Sequence, residues 1–311
     1  MQKITDEQKT AWTLACLAAP IVHVASGLYW LDVLLISLLG AGIRYWTAGS
    51  NTQDKCLWVR RMIGILAAAQ ALMMMEDCWP KQGNLQWVLM ILLLLAALQA
   101  AKGEQAAIRG DLTLWWLTAF LLGSVLLSAV PELQSRHWAA WRNERKWEKM
   151  LELLTVLLLP CLFGREKKSM KSEWSLLLLP VACSFAVQGV LVQTGSQEGT
   201  AAFYELSRSV RLYGIVERME AMAWLGLMLG TYLYMTFLLT IGAGEEEQEK
   251  NRNRRIVICA GAAEMISVIL EEEILAVLLL AAIIAFELLL ACLKETEKRK
   301  ERKMGKYENS G

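Results

Sequence analysis

The stretch that decides the fold runs from Phe203 to Leu239: "FYELSRSVRLYGIVERMEAMAWLGLMLGTYLYMTFLL". Its opening holds six charges, Glu205, Arg208, Arg211, Glu217, Arg218 and Glu220, and from Ala221 to Leu239 there is none. An uncharged apolar run of this length approaches the ~20 residues that a helix needs to cross ~30 Å of hydrocarbon. The stretch therefore predicts a membrane helix with charges at its lip. Glu217 and Glu220 are three apart, hence neighbours on a helix surface, with Arg218 beside them and Arg208 and Arg211 ahead of the Gly214 break. Arg208, Arg211, Glu217, Arg218 and Glu220 are read as a structural charge cluster that sets the helix start, where the positive end of the helix dipole favours Glu. The rival reading is an entrance lined by paired charges, because charges in a membrane face protein or water and pair with one another. Gly226 and Gly230 form a GxxxG, expected to let another helix approach closely.

The rest of the chain has the same character. Of 311 residues 55% are hydrophobic and 20% charged, and the mean hydropathy of +0.35 is too high for an ordinary soluble domain. Ten apolar segments are candidate spans, the first, sixth and ninth of them short: Ala11 to Ser26, Leu28 to Thr47, Cys56 to Met75, Asn84 to Ala101, Asp111 to Val130, Met150 to Phe163, Glu173 to Gln193, Val216 to Gly242, Ile256 to Leu270 and Glu273 to Leu293. The opening "MQKITDEQKTAWTLACLAAPIVHVASG" has Asp6 and Glu7 where a secretory signal carries basic residues, so it reads as an uncleaved first span. The expected organisation is an all-α membrane domain over residues 1–293 and a charged cytoplasmic tail over residues 294–311.

Loop charge sets the orientation. With the first residues inside, 23 of the 32 basic residues fall in inner segments, as short cytoplasmic loops require, and both ends of the chain are then cytoplasmic. One connection, "PELQSRHWAAWRNERKWEKM", is basic on the predicted outside. Trp138, Trp141, Trp147, Leu151 and Leu154 follow helical spacing there, which predicts an interfacial amphipathic helix feeding the sixth span; an altered topology is the alternative. Many of the tryptophans, among them Trp12, Trp30, Trp46, Trp87 and Trp116, fall near span ends, where membrane-facing aromatic belts lie.

Composition also excludes classes of function. A net charge of +1 gives nucleic acid no electrostatic footprint. The seven cysteines have no CxxC spacing, and His23 and His137 are the only histidines, so neither a metal site, a cofactor nor a catalytic triad is expected, and no enzyme. Lipid is the expected surroundings. Asp32 and Glu264 are candidate polar contacts along an interior path, and Glu287 lies close enough to an end to snorkel.

Ten spans divide into five and five, and an odd number makes the second half begin on the opposite side, the condition for an inverted repeat. In such folds, short or Pro/Gly-interrupted spans in matching positions point to the binding site. Spans one and six match, with "AAPIVHVASG" around Pro20 and "LLLPCLFG" around Pro160. The fold class expected is thus a 5+5 inverted-repeat, transporter-like bundle with helices one and six broken. A small ligand would sit between Ala19, Pro20 and His23 on one side and Leu159, Pro160, Cys161 and Gly164 on the other, its charged ends met by backbone groups. The alternative is that each proline merely kinks a helix whose freed carbonyl neighbouring helices satisfy.

The stretch "FYELSRSVRLYGIVERMEAMAWLGLMLG" resembles the corresponding segment of the endospore germination permeases, the polytopic B subunits of nutrient germinant receptors. So does "LLLLAALQAAKGEQAAIRGDLTLWWLTAFLLGSVLLSAVPEL", which is similar to that family's fourth and fifth spans. "ITDEQKTAWTLACLAAPI" and "YWLDVLLISLLGAGI" are weaker likenesses to its first two. The resemblance implies an amino acid/polyamine/organocation-type fold of ten helices in the spore inner membrane, sensing amino acid-like nutrients alongside partner subunits. Where the family has a Gly-rich unwound stretch in span one, this chain has "CLAAPIVHVASG". Three functions follow as expectations: a germinant-sensing subunit, a secondary transporter of amino acids or amines, and a structural subunit without a ligand.

Overall fold

The computed structural model describes residues 5–47, 57–77, 85–134, 147–162, 170–191, 202–210, 219–243, 249–269 and 275–286, and among them there is no strand. Eleven α-helices are present in this set: α1 Asp6–Ser26, α2 Trp30–Thr47, α3 Leu57–Asp77, α4 Leu85–Ala101, α5 Glu104–Ala129, α6 Trp147–Leu162, α7 Met170–Val190, α8 Ala202–Ser209, α9 Glu220–Ala243, α10 Glu249–Ile269 and α11 Leu275–Phe286. Ten lie on the ten apolar segments; α8, short and amphipathic, was not anticipated. The helix of α5, extended by its last turn to Glu132, and α9 are long and apolar enough to cross a membrane. Shorter apolar helical segments lie at Arg61–Met74, Trp87–Ala101, Leu176–Val190 and Leu275–Phe286. The connection with Trp138 and Trp141, His137, and the tail from residue 294 lie outside the described residues.

Local chemistry explains where α1 begins and ends. Thr5 accepts from the Gln8 N–H and the Gln8 side chain returns the bond to Thr5, a capping box that satisfies two otherwise orphaned donors. At the other end, Gly27 donates to the carbonyls of Val24 and Ala25. Between them α1 is continuous through Pro20, which corrects the expectation of a break in the first span. Proline deprives the Cys16 carbonyl of its partner. Yet α1 is held by α5, α6, α7 and α9 at once, and every residue from Ala15 to Ser26 is buried. Packing on all sides outweighs the lost bond. In α6 the helix likewise continues through Pro160 to Leu162, and the Leu157 carbonyl, in the turn that proline disturbs, accepts from Arg44 Nη1 at 2.8 Å.

α9 lies at the centre, touching α1, α3, α4, α5, α8 and α10. The GxxxG makes this possible. A Cβ on Gly226 would stand 2.9 Å from Leu122, and one on Gly230 would collide with the Ala19 methyl. α9 runs antiparallel to α1, because Gly230 meets Ala19 while Phe237, two turns on, packs its ring edge-to-face on Trp12 at 5.0 Å. Gly64 of α3 approaches the α9 backbone at Leu238 and Gly242 in the same close fashion.

Contacts at the two ends show that the helices alternate in direction. At one end Lys9 pairs with Glu104 at 3.3 Å, and Arg252 Nη2 donates to the Ala101 carbonyl at 2.7 Å. Gly103, in the left-handed region at φ 94°, turns the chain from α4 into α5 against that same guanidinium. At the opposite end Ser184 and Gln188 of α7 both donate to the Leu28 carbonyl, the Trp30 N–H donates to Gln188 at 3.3 Å, and the Gln134 N–H donates to the Gly189 carbonyl at 2.8 Å. The first end carries Lys9, Arg44, Arg61, Lys102, Arg109, Arg252, Arg254 and Arg255 and is strongly basic.

The outside of the bundle is apolar. On α4, Trp87, Met90, Ile91, Leu94, Leu95 and Leu98 are exposed at helical spacing, while Leu89, Leu92, Leu93 and Ala96 on the other face are buried. Leu35, Leu38 and Leu39 of α2 and Trp116, Leu117 and Phe120 of α5 are exposed in the same way. These helices are apolar all round, and one face of each is uncovered by the other described residues.

Candidate functional site

One face of α1 connects two buried polar sites. Trp12, Cys16, Ala19 and His23 recur at helical spacing along it. Ala19 is pressed on Gly230 of α9.

The richer site is built on α3 and α6. Glu152, two turns into α6 and 1% exposed, accepts from Gln70 Nε2 of α3 at 3.1 Å and pairs with Lys149 at 3.1 Å. The Lys149 charge also acts on His23 of α1, and the Glu152 charge on Tyr234 of α9. Gln70 and Tyr234 are each 1% exposed, and neither Gln70 Oε1 nor the Tyr234 hydroxyl has a hydrogen-bond partner among the described residues. A buried polar atom left unpaired costs about 1–3 kcal/mol. Gln70 Oε1 is a pure acceptor on the amide that donates to Glu152, and the Tyr234 hydroxyl can both donate and accept. The arrangement can meet a small solute that offers both a donor and an acceptor.

Toward the basic end lies the poorer site. Asp111 of α5 is fully buried and accepts from Trp12 Nε1 at 2.7 Å through Oδ2; Oδ1 has no partner among the described residues. Its charge reaches Cys16 of α1 and Tyr232 of α9.

The residues expected at the site divide accordingly. Ala19, Pro20, His23, Leu159 and Pro160 are all buried, and α1 and α6 are in contact, but Ala19 is committed to helix packing against Gly230. Of Cys161 only the helical backbone is described, and Gly164 lies outside the described residues. Of the charge cluster, Arg208 pairs with Glu220 at 3.6 Å and with Glu205 at 3.3 Å, and the Tyr204 hydroxyl lies 3.4 Å from Glu220. Glu205 and then Glu220 hold the Arg208 guanidinium above its usual range, while partial burial, followed by the charge of Glu220, raises the Tyr204 phenol. These side chains are largely exposed and sit at the α8–α9 junction, not in the interior. Arg211, Glu217 and Arg218 lie outside the described residues.

Sequence reasoning favoured Asp32 and Glu264 as interior acids and passed over Glu152 and Asp111. Asp32 and Glu264 are half-buried, whereas Glu152 and Asp111 are the deeply buried carboxylates. The signal for Glu152 was available in "KMLELLTVLLL", a single acid one turn after a lysine in an otherwise apolar run.

No protein-family model matches the chain, and no curated protein matches it.

Proposed function

We propose that the chain is a multi-pass membrane protein of ten spans, its two five-helix halves related as an inverted repeat, that binds a small amino acid-like nutrient where the halves meet. Within that reading it is the membrane subunit of a germinant receptor in the inner membrane of a spore, with both ends of the chain on the cytoplasmic side and partner subunits completing the receptor. The observation that carries it is the Gln70–Glu152–Lys149 cluster in the interior, which joins α3 of the first half to α6 of the second around a fully buried carboxylate. Alternating helix directions, exposed apolar faces and the concentration of Lys and Arg at one end support the membrane part. The resemblance of Phe203 to Gly230 to germination permeases supports the receptor part. Deleting the gene and scoring germination across a nutrient panel tests it: loss of response to one amino acid class, with other classes unaffected, is expected. Unchanged germination on every nutrient defeats the receptor reading.

A second reading has an observation of its own. Two deeply buried carboxylates, Glu152 and Asp111, flank α1 at two levels, and buried acids are what proton- or sodium-coupled secondary transport uses. Accumulation of a labelled amino acid in proteoliposomes, collapsing when the ion gradient is dissipated, separates transport from sensing.

A further inference from the structure

Two exposed apolar faces, on α4 and α5, end on exposed cations and lie side by side. Along α4, Ile91, Leu95 and Leu98 are exposed, and Lys102, also exposed, follows one turn past Leu98, just beyond the helix end. Along α5, exposed Arg109 leads into Trp116, Leu117 and Phe120. The two helices are joined near the basic end, where Gln99 Nε2 donates to the Ala106 carbonyl at 3.4 Å and a Cβ on Gly110 would collide with that same amide. Lys102 stands one turn beyond Gln99, and Arg109 stands next to Gly110, so both cations flank one joint. Seen from the Gln99–Gly110 contact, Leu95, Leu98 and Lys102 are turned one way about α4, and Arg109, Trp116 and Phe120 are turned the same way about α5. In an antiparallel pair this puts all of them on one side. The acids of the joint are engaged elsewhere: Glu104 pairs with Lys9 at 3.3 Å, and Asp111 is buried on the Trp12 indole. No carboxylate among the described residues pairs with Lys102.

Other exposed faces differ. Arg44 of α2 is buried and donates to the Leu157 carbonyl, so the stripe of Leu31, Leu35, Leu38 and Leu39 ends without that charge at the surface. On α10, Arg254 is exposed ahead of Val257, Ile258 and Met265, with no second exposed cation on that face among the described residues. An anionic phospholipid has the order of groups that α4 and α5 present together, a negative headgroup at the membrane surface and acyl chains in the hydrocarbon. A zwitterionic headgroup would bring its own ammonium against the two cations. We propose that the adjoining faces of α4 and α5 hold an anionic phospholipid, its phosphate between Lys102 and Arg109 and its chains along Leu95 and Leu98 on one side and Trp116 and Phe120 on the other. This rests on the membrane reading above and is independent of the nutrient site. The bound lipid braces α4 against α5 across the Gly103 turn, the turn that Arg252 covers from α10.

The test follows thermal unfolding of the full chain in lipid nanodiscs of phosphatidylcholine with rising fractions of phosphatidylglycerol of the same acyl chains. Phosphatidylglycerol raises the unfolding midpoint and the gain saturates, as a ligand of the folded state must. Lys102→Gln and Arg109→Gln each raise the phosphatidylglycerol fraction needed for half of that gain by ~5-fold, the worth of one cation at an anionic surface, and together they abolish it. Arg254→Gln removes one exposed charge from the same end and leaves the half-gain fraction where it was. Where Arg109→Gln lowers the midpoint in phosphatidylcholine alone, Lys102→Gln decides. An equal loss in Arg254→Gln, or a gain that never saturates, marks diffuse surface charge and overturns the site. Inorganic phosphate that reproduces the gain in pure phosphatidylcholine marks an ion site and overturns the lipid. A midpoint indifferent to phosphatidylglycerol overturns the site and leaves the membrane reading standing. Recovery of the chain as a soluble protein without detergent overturns both.

Discussion

Glu152 and Asp111 are both carboxylates buried against α1, and they differ in what surrounds them. Glu152 has an ammonium and an amide in contact; Asp111 has one indole N–H, and its Oδ1 has no partner among the described residues. The first is an ion pair whose partners depend on it. The second can lose its charge at little structural expense. Asp111 is reached from α1 through Trp12, whereas Glu152 is tied to α3 through Gln70, so the two acids depend on different helices.

Breaking the richer site has the largest expected effect. Glu152→Leu strands the Gln70 amide donor in the interior and removes the acid that Lys149 pairs with, and removing one member of a buried pair costs about 3–5 kcal/mol. Membrane fractions should contain far less of the chain, measured by immunoblot against a co-expressed control; normal accumulation with unchanged unfolding sinks the assignment of Glu152 as a tied, buried charge.

Next comes the close contact between α1 and α9. Gly230→Ala drives a methyl into Ala19 and forces α1 from α9, at about 1–3 kcal/mol for an overpacked contact. Ala19→Gly in the same chain should restore most of the loss, because contacting residues are not additive. Failure of that rescue means the two residues are not opposed.

At the poorer site Trp12→Phe keeps the ring contact with Phe237 but takes the donor from Asp111, leaving a buried carboxylate without its bond, about 1–3 kcal/mol in thermal unfolding. Asp111→Asn should be mildest, within about 1 kcal/mol, since an amide oxygen still accepts from Trp12 and no buried charge remains. If Asp111→Asn proves as damaging as Glu152→Leu, an unseen positive partner pairs with Asp111 and the contrast between the two sites collapses.

Much of this architecture was legible as hydropathy. The helices stand on the apolar segments, and the GxxxG reading anticipated the close approach at Gly226 and Gly230, because both are properties of a local window. The interior acids were not legible in the same way. Trp12 and Asp111 are 99 residues apart and Gln70 and Glu152 are 82 apart, so nothing near either acid announces its partner. Asp111 stands at the start of an apolar run, where a carboxylate ordinarily faces water. Pro20 misled in the opposite sense: proline breaks isolated helices, but a helix buried on every side is held by its neighbours. At the charge cluster, the sequence brought Arg208 and Glu220 together correctly and gave no sign that Tyr204 and Glu205 complete the group on a short separate helix.

The dependence of α1 on its neighbours has a consequence for how the protein is made. α1 is made before the other described helices, yet it barely touches α3 and packs instead on α5, α6, α7 and α9. At synthesis rates of ~5–20 residues per second, roughly 10–40 s separate the end of α1 from the arrival of α9. Throughout that interval the Cys16 carbonyl left open by Pro20 and the His23 ring have no permanent neighbours, and lipid or the insertion machinery must shelter them. Nascent chains arrested before Glu220 should therefore leave Cys16 open to a membrane-permeant maleimide, and chains extended through Ala243 should protect it, since Cys16 in the finished bundle is fully buried.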